Sequence, residues 1–204
     1  MGYRGGVSRA VLCGLLLAWA VPATAQFSDS YNFLKAVREA NGEDATKYLN
    51  KPGAPVLNTR DPSTGETALH ISVKAHQDNW VGFLINKGAN VEIRDRDGNT
   101  PLHDAALFGD VTAMNYLIGA NARINATNSR GETPLILAVQ RRDVTLVRLL
   151  VDAGADPKIS DSFAGKSALD YAKQDARATA ILKVLEGAKA PPKKAVSGPV
   201  IPGF

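Results

Sequence analysis

The chain has 204 residues, is 45% hydrophobic but only 6% aromatic, and carries a formal net charge of +4. A core of Leu, Val, Ile and Ala is affordable in one domain plus a tail, and it suits close helix packing better than a β-sandwich. With Cys13 as the single cysteine, disulfide scaffolds are excluded.

The N-terminus reads as a leader. Arg4 and Arg9 supply positive charge, Val11 to Val21 form a short apolar run, and Pro22 breaks it. Ala23-Thr24-Ala25 then makes an A-x-A signal, which predicts a signal peptide over 1–25 cut between Ala25 and Gln26. The apolar run is about half of the roughly 20 residues that span a bilayer, which argues against an uncleaved anchor. Cys13 lies within that run, which argues against a lipoprotein. No later stretch is apolar enough to cross a membrane. The expected location is the periplasm, with secretion as the alternative. Cleavage would leave no cysteine, which suits an oxidising compartment and excludes thiol catalysis and Cys-ligated zinc.

Charge is recounted without the leader. Removing Arg4 and Arg9 from the 24 basic residues leaves 22 against 20 acidic ones. Lys189, Lys193 and Lys194 lie in the tail, so the body 26–186 has 19 basic and 20 acidic residues. The isoelectric point of 9.2 therefore comes from the two ends and does not indicate a nucleic-acid surface.

In chain order, Phe33 to Val37 and Ala45 to Asn50 read as a first helix pair. Gly53-Ala54 closes it, and a long loop follows from Val56 to Thr64. A motif then recurs. Gly65-Glu66-Thr67-Ala68-Leu69-His70 returns as Gly98-Asn99-Thr100-Pro101-Leu102-His103 and as Gly131-Glu132-Thr133-Pro134-Leu135-Ile136. A weaker copy is Gly165-Lys166-Ser167-Ala168-Leu169-Asp170, and the glycines are 33, 33 and 34 residues apart. Closing triplets keep the same phase: Gly88-Ala89-Asn90, Asn121-Ala122-Arg123 and Gly154-Ala155-Asp156. The glycines suit a turn with φ > 0. Thr67, Thr100, Thr133 and Ser167 suit N-caps, and Pro101 and Pro134 the first helical position. Leu69, Leu102, Leu135 and Leu169 should face the stack. Gly88, Asn121 and Gly154 suit a left-handed helix stop. Trp80, Phe83 and Leu84, then Met114, Leu117 and Ile118, then Val147, Leu150 and Val151 give the second helices their apolar spacing. The tail 187–204 has four prolines among Gly, Lys and Ala and is expected to be disordered.

Period, turn motif and closing motif together resemble the ankyrin repeat, down to the literal T-P-L-H-x-A string at Thr100 to Ala105. The resemblance covers about Tyr31 to Glu186. It implies an all-α solenoid of helix-turn-helix pairs joined by short β-turn hairpins. The expected units are a capping repeat at about 31–61, repeats at about 62–94, 95–127 and 128–160, and a capping repeat at 161–186. It also implies that His70 and His103 bond neighbouring turns through their ring nitrogens.

The resemblance further implies a protein-binding groove lined by turn tips and the ends of the first helices. Transferred to this chain, those positions are Ser63, Thr64, Glu66, Lys74 and Ala75 in the second repeat. The third gives Arg96, Asp97, Asn99, Leu107 and Phe108, and the fourth gives Ser129, Arg130, Glu132, Gln140 and Arg141. Leu107-Phe108 is an apolar pair at normally polar positions, with Arg96, Arg130 and Arg141 expected around it, a composition typical of binding hot spots. The competing reading has Phe108 packed beneath a neighbouring repeat.

Signs of chemistry are few. His76 replaces the usual glycine after a first helix and reads as a surface residue. Asp95 with Asp97, and Asp104 with Asp110, are carboxylate pairs in sequence, but acids at repeat turns usually cap or solvate. There is no G-x-S-x-G, H-E-x-x-H or phosphate-loop motif. The expectation is a non-enzymatic module with no cofactor and no metal, binding an unidentified protein partner and no nucleic acid. Family analogy offers two settings: envelope or oxidative stress protection, and immunity to a secreted toxin. A small-ligand receptor or enzyme is the weaker alternative. The three tail lysines could add a weak contact with the envelope.

Overall fold

The computed structural model describes residues 23–51 and 56–188. The apolar leader, Gly53-Ala54 and the tail lysines lie outside them.

The recurring motif sets each first helix. Thr67 and Thr100 take extended backbone at the N-cap, and Thr133 does the same while its hydroxyl accepts from the Ile136 N–H. Ser167 and Asp170 form a reciprocal capping box. Pro101 and Pro134 follow directly at the first helical position, where no N–H is missed. The result, among the described residues, is five helix pairs. They are α1 (Ala23–Arg38) with α2 (Gly42–Leu49), α3 (Ala68–Lys74) with α4 (Asp78–Asn86), and α5 (Pro101–Phe108) with α6 (Val111–Gly119). Then come α7 (Pro134–Gln140) with α8 (Val144–Asp152), and α9 (Ala168–Gln174) with α10 (Thr179–Glu186). First helices pack in the order α1, α3, α5, α7, α9, and second helices in the order α4, α6, α8, α10. This is an all-α repeat solenoid. Among the described residues the turns contribute a single isolated bridge, Ser160 to Ser167.

The first pair starts earlier than its apolar residues suggested. α1 begins at Ala23, so Ala23, Ala25 and Gln26 of the expected cleavage segment stand in its opening turn. α2 begins at Gly42 because Asn41 caps it, accepting from the Asp44 N–H at 3.1 Å. Among the described residues, no helix is long and apolar enough to cross a membrane.

Leu69, Leu102 and Leu135 are buried, each burial contributing about 1.5–3 kcal/mol. Leu169 is only half-buried, because the last pair has one neighbouring repeat where the inner pairs have two. The helix stops behave as the closing triplets imply: φ is +87° at Gly88, +91° at Gly154 and +60° at Asn121.

Turns stack on turns. The Arg96 N–H donates to the Thr64 carbonyl at 2.9 Å, Ser129 to Asp97 at 3.0 Å, and Ser162 to Arg130 at 2.8 Å. This approach leaves no room for a Cβ on Gly65, Gly98 or Gly131. At Gly131, where φ is +76°, it would lie 2.5 Å from the Ser162 nitrogen. At Gly154, where φ is +91°, nothing lies within 4 Å. Gly131→Ala should therefore destabilise the fold by more than Gly154→Ala, whose cost is limited to backbone strain of about 1–3 kcal/mol. Urea denaturation of both variants measures the difference.

Candidate functional site

The histidines tie the stack together. The Thr67 N–H donates to His70 Nδ1 at 3.2 Å, leaving the proton on Nε2, which donates to the Asn99 carbonyl of the next turn at 3.1 Å. His103 repeats this between the Thr100 N–H at 3.1 Å and the Glu132 carbonyl at 3.1 Å. Both rings are fully buried. Burial disfavours the imidazolium, lowering the pKa of His70 and taking His103 down to about 4.

The first helices and turns of the second and third repeats also build an ionic cluster. Lys74, at the end of α3, places its Nζ 2.8 Å from Glu66 Oε1, 3.7 Å from Asp95 Oδ2 and 3.6 Å from Asp104 Oδ1. The same ammonium lies 5.9 Å from the centre of the Phe108 ring. Asp104 is fully buried in α5, and neither of its oxygens has a hydrogen bond. Burial pushes its carboxyl up to about 8, with Lys74 opposing and Asp95 and Glu66 reinforcing. Burial works against the Lys74 ammonium, but Asp104, Glu66 and Asp95 hold it above its ordinary value.

The carboxylate groupings seen in sequence are not those of the fold. Asp104 joins Lys74, whereas Asp110 lies under His76, with 3.5 Å between His76 Nδ1 and Asp110 Oδ2. Asp95 is buried and accepts from the Asn99 N–H at 2.8 Å, while Asp97 is exposed at the turn tip. The sign that Asp104 is unusual was available. It is a charged residue inside an otherwise apolar helix, between His103 and Ala105. His76 is half-exposed with φ +52° and borders an open cavity of about 400 Å³ with Asp78 and Trp80. Among the described residues, no group of three or more His, Asp or Glu side chains could hold a metal ion.

The groove positions divide into two sets. Leu107 and Phe108, at the end of α5, are 43% and 38% exposed. Ser63, Thr64, Ala75, Arg96, Ser129, Gln140 and Arg141 are exposed as well. The three arginines are already engaged. Arg96 donates to the Pro62 carbonyl of the preceding turn, Arg141 reaches back to the Leu107 carbonyl at 3.2 Å, and Arg130 pairs with Glu132 at 2.8 Å. Glu132, placed in the groove by its motif position, is buried. It accepts from Asn128 Nδ2 at 2.9 Å as well as from Arg130, so it props the turn from within. Three exposed aromatics were missed: Tyr31, Tyr116 and, most open of all, Phe163, 90% exposed at the tip of the last turn.

The titrations have opposite signs. Unfolded histidines take protons near pH 6.5, but folded His103 does so only near 4. The unfolded chain therefore holds more protons between those values, and stability rises with pH across that window. Asp104 ionises near 3.8 when unfolded and near 8 when folded. There the folded chain holds the extra proton, so stability falls as pH rises from about 4 to 8. Above pH 6.5 only the Asp104 effect remains of these two. Urea midpoints should fall between pH 6.5 and 8 in the native chain and flatten in Asp104→Asn.

Comparison with known proteins agrees with the geometry. Residues 33–128 match the family described as Ankyrin repeats (3 copies), and residues 118–172 match Ankyrin repeats (many copies). The chain is 35% identical over 80 residues to ankyrin repeat protein FPV031 of Fowlpox virus (strain NVSL), covering 39% of this chain and 23% of that one. Protein phosphatase 1 regulatory subunit 12A of Mus musculus is 38% identical over 66 residues, covering 32% and 6%. An ankyrin repeat protein of Rickettsia felis is 46% identical over 50 residues, covering 23% and 22%. The matched region is thus less than a quarter of each relative's own length.

Proposed function

The chain belongs to the ankyrin-repeat family, and on that premise we propose that it holds a partner protein across the face carrying Leu107 and Phe108. Ankyrin repeats are in general protein–protein interaction modules and are generally non-enzymatic. One observation carries the reading. Two adjacent large apolar side chains remain 43% and 38% exposed at the end of α5, in the middle repeat of the stack. Apolar anchors ringed by arginine are the composition of interface hot spots. Here Arg141 holds a fixed position beside them on the Leu107 carbonyl.

Export of the protein to the periplasm is part of the proposal, supported by the charged, apolar and A-x-A segments of residues 1–25. In that setting the module serves envelope or oxidative stress protection. Immunity to a secreted toxin is the alternative setting, in which the same face covers an enzyme.

Two experiments test these statements. Leu107→Ser with Phe108→Ala should weaken partner binding by about 2 kcal/mol or more, roughly thirtyfold. Both side chains are partly exposed, so melting should change by only a few degrees. Unchanged affinity measured by surface plasmon resonance sinks the assignment of the face. Fusion of residues 1–30 to alkaline phosphatase should yield active enzyme outside the cytoplasm. An inactive, uncleaved fusion sinks the export proposal.

A further inference from the structure

Three carboxyl groups share one ammonium beside the exposed Phe108 ring. From this arrangement we propose that the partner inserts an arginine or lysine side chain at the Glu66–Asp95–Asp104 cluster, against Phe108. The inference rests on the protein-binding reading above and names the chemistry of what is bound.

Charge is the first argument. Glu66, Asp95 and Asp104 all lie within 4 Å of Lys74 Nζ, at 2.8, 3.7 and 3.6 Å. With Asp104 holding its proton, Glu66 and Asp95 still set two carboxylates against one ammonium, so the deficit is one of positive charge and of hydrogen-bond donors. Asp104 makes the deficit acute. It is fully buried, with no hydrogen bond to either oxygen, and a carboxyl group withdrawn from water without donors is disfavoured. A guanidinium brings five donors in a planar fork that matches carboxylates.

Access is the second argument. The cluster opens to solvent at its rim, where the side chains of Lys74 and Glu66 are 26% and 16% exposed, with Asp95 and Asp104 buried beneath them. Phe108 forms the rim and already receives one cation on its ring. A second cation could approach the same aromatic surface from solvent. The nearby arginines do not fill this role, because Arg96 and Arg141 rest on the Pro62 and Leu107 carbonyls and Arg130 on Glu132.

Entry of a cation is coupled to a proton. Lys74 faces Asp104 from α3, and Glu66 and Asp95 face it from the turns before α3 and α5. α7, packed on the other side of α5, contains no titratable side chain between Pro134 and Gln140, and α6 carries only Tyr116, whose ring lies against Gly82 of α4. As the guest cation enters, the Asp104 carboxyl releases its proton to solvent and becomes a carboxylate, so net charge at the cluster is conserved. Binding should therefore strengthen as pH rises through about 8.

The test is an NMR titration of the full chain with N-acetyl-argininamide at pH 7 and pH 9. N-acetyl-norvalinamide serves as the neutral control and N-acetyl-glutamic acid amide as the acidic one. The expected result is saturable shifts at Lys74, Asp104 and Phe108 with the arginine probe alone. Affinity should be up to roughly tenfold higher at pH 9. Asp104→Asn should keep a native spectrum and lose the pH dependence, and Glu66→Gln at the rim should weaken binding at both pH values. No localised shifts, or an equal response to norvaline, overturns the proposal. So does a stronger response to the glutamate probe at Arg96 and Arg141, which would mark an acidic partner. If the Leu107→Ser, Phe108→Ala variant loses its partner while the arginine probe fails to bind, this inference falls and the protein-binding reading stands.

Discussion

Each repeat is registered on the next by polar bonds that cross the repeat boundary. The apolar core alone would let helix pairs slide, because hydrophobic contact has no direction. The His70 and His103 imidazoles remove that freedom by reaching from one helix start to the carbonyl of the next turn. The turn rungs from Arg96, Ser129 and Ser162 repeat the constraint on the outside. A proton on Nδ1 would cost each ring its bond from the threonine N–H, and a side chain on Gly65, Gly98 or Gly131 would force the stacked turns apart. The buried neutral histidines and the positive-φ glycines are therefore one mechanism. It makes the solenoid a chain of nearest-neighbour contacts.

The same registration creates the ionic cluster. Glu66 and Lys74 belong to one repeat, and Asp95 and Asp104 to the next. They meet only because the turns stack at a fixed spacing. Asp104 then sits where a stack would normally place an apolar side chain, and the fold tolerates it by keeping its proton. Stability given up at this position is consistent with a site shaped by something other than folding, since a buried carboxyl without hydrogen bonds is not retained for stability.

Much of the architecture was legible from the chain because its signals are local. A threonine cap, a proline at the first helical position and a glycine at a left-handed stop each act within four residues. The positions that misled are those whose surroundings come from a repeat about 33 residues away. Glu132 shares its motif position with the half-buried Glu66 and Asn99, but Asn128 and Arg130 draw it fully inward. Asp104 and Asp110 are close in sequence yet point to different neighbours, Lys74 and His76. Leu169 obeys the motif but lacks a following repeat to cover it. Phe108 answered to both readings, since it is partly covered by Lys74 and partly open.

The turn ladder also has a direction. Every rung runs from the N–H of a later turn to the carbonyl of an earlier one, and no rung depends on which repeat supplies it. A unit copied in frame into the middle of the gene would find a carbonyl waiting before it and an N–H after it. The array can therefore lengthen by duplication without redesign of any boundary. Leu107 and Phe108, which serve no rung, are then free to diverge from one copy to the next.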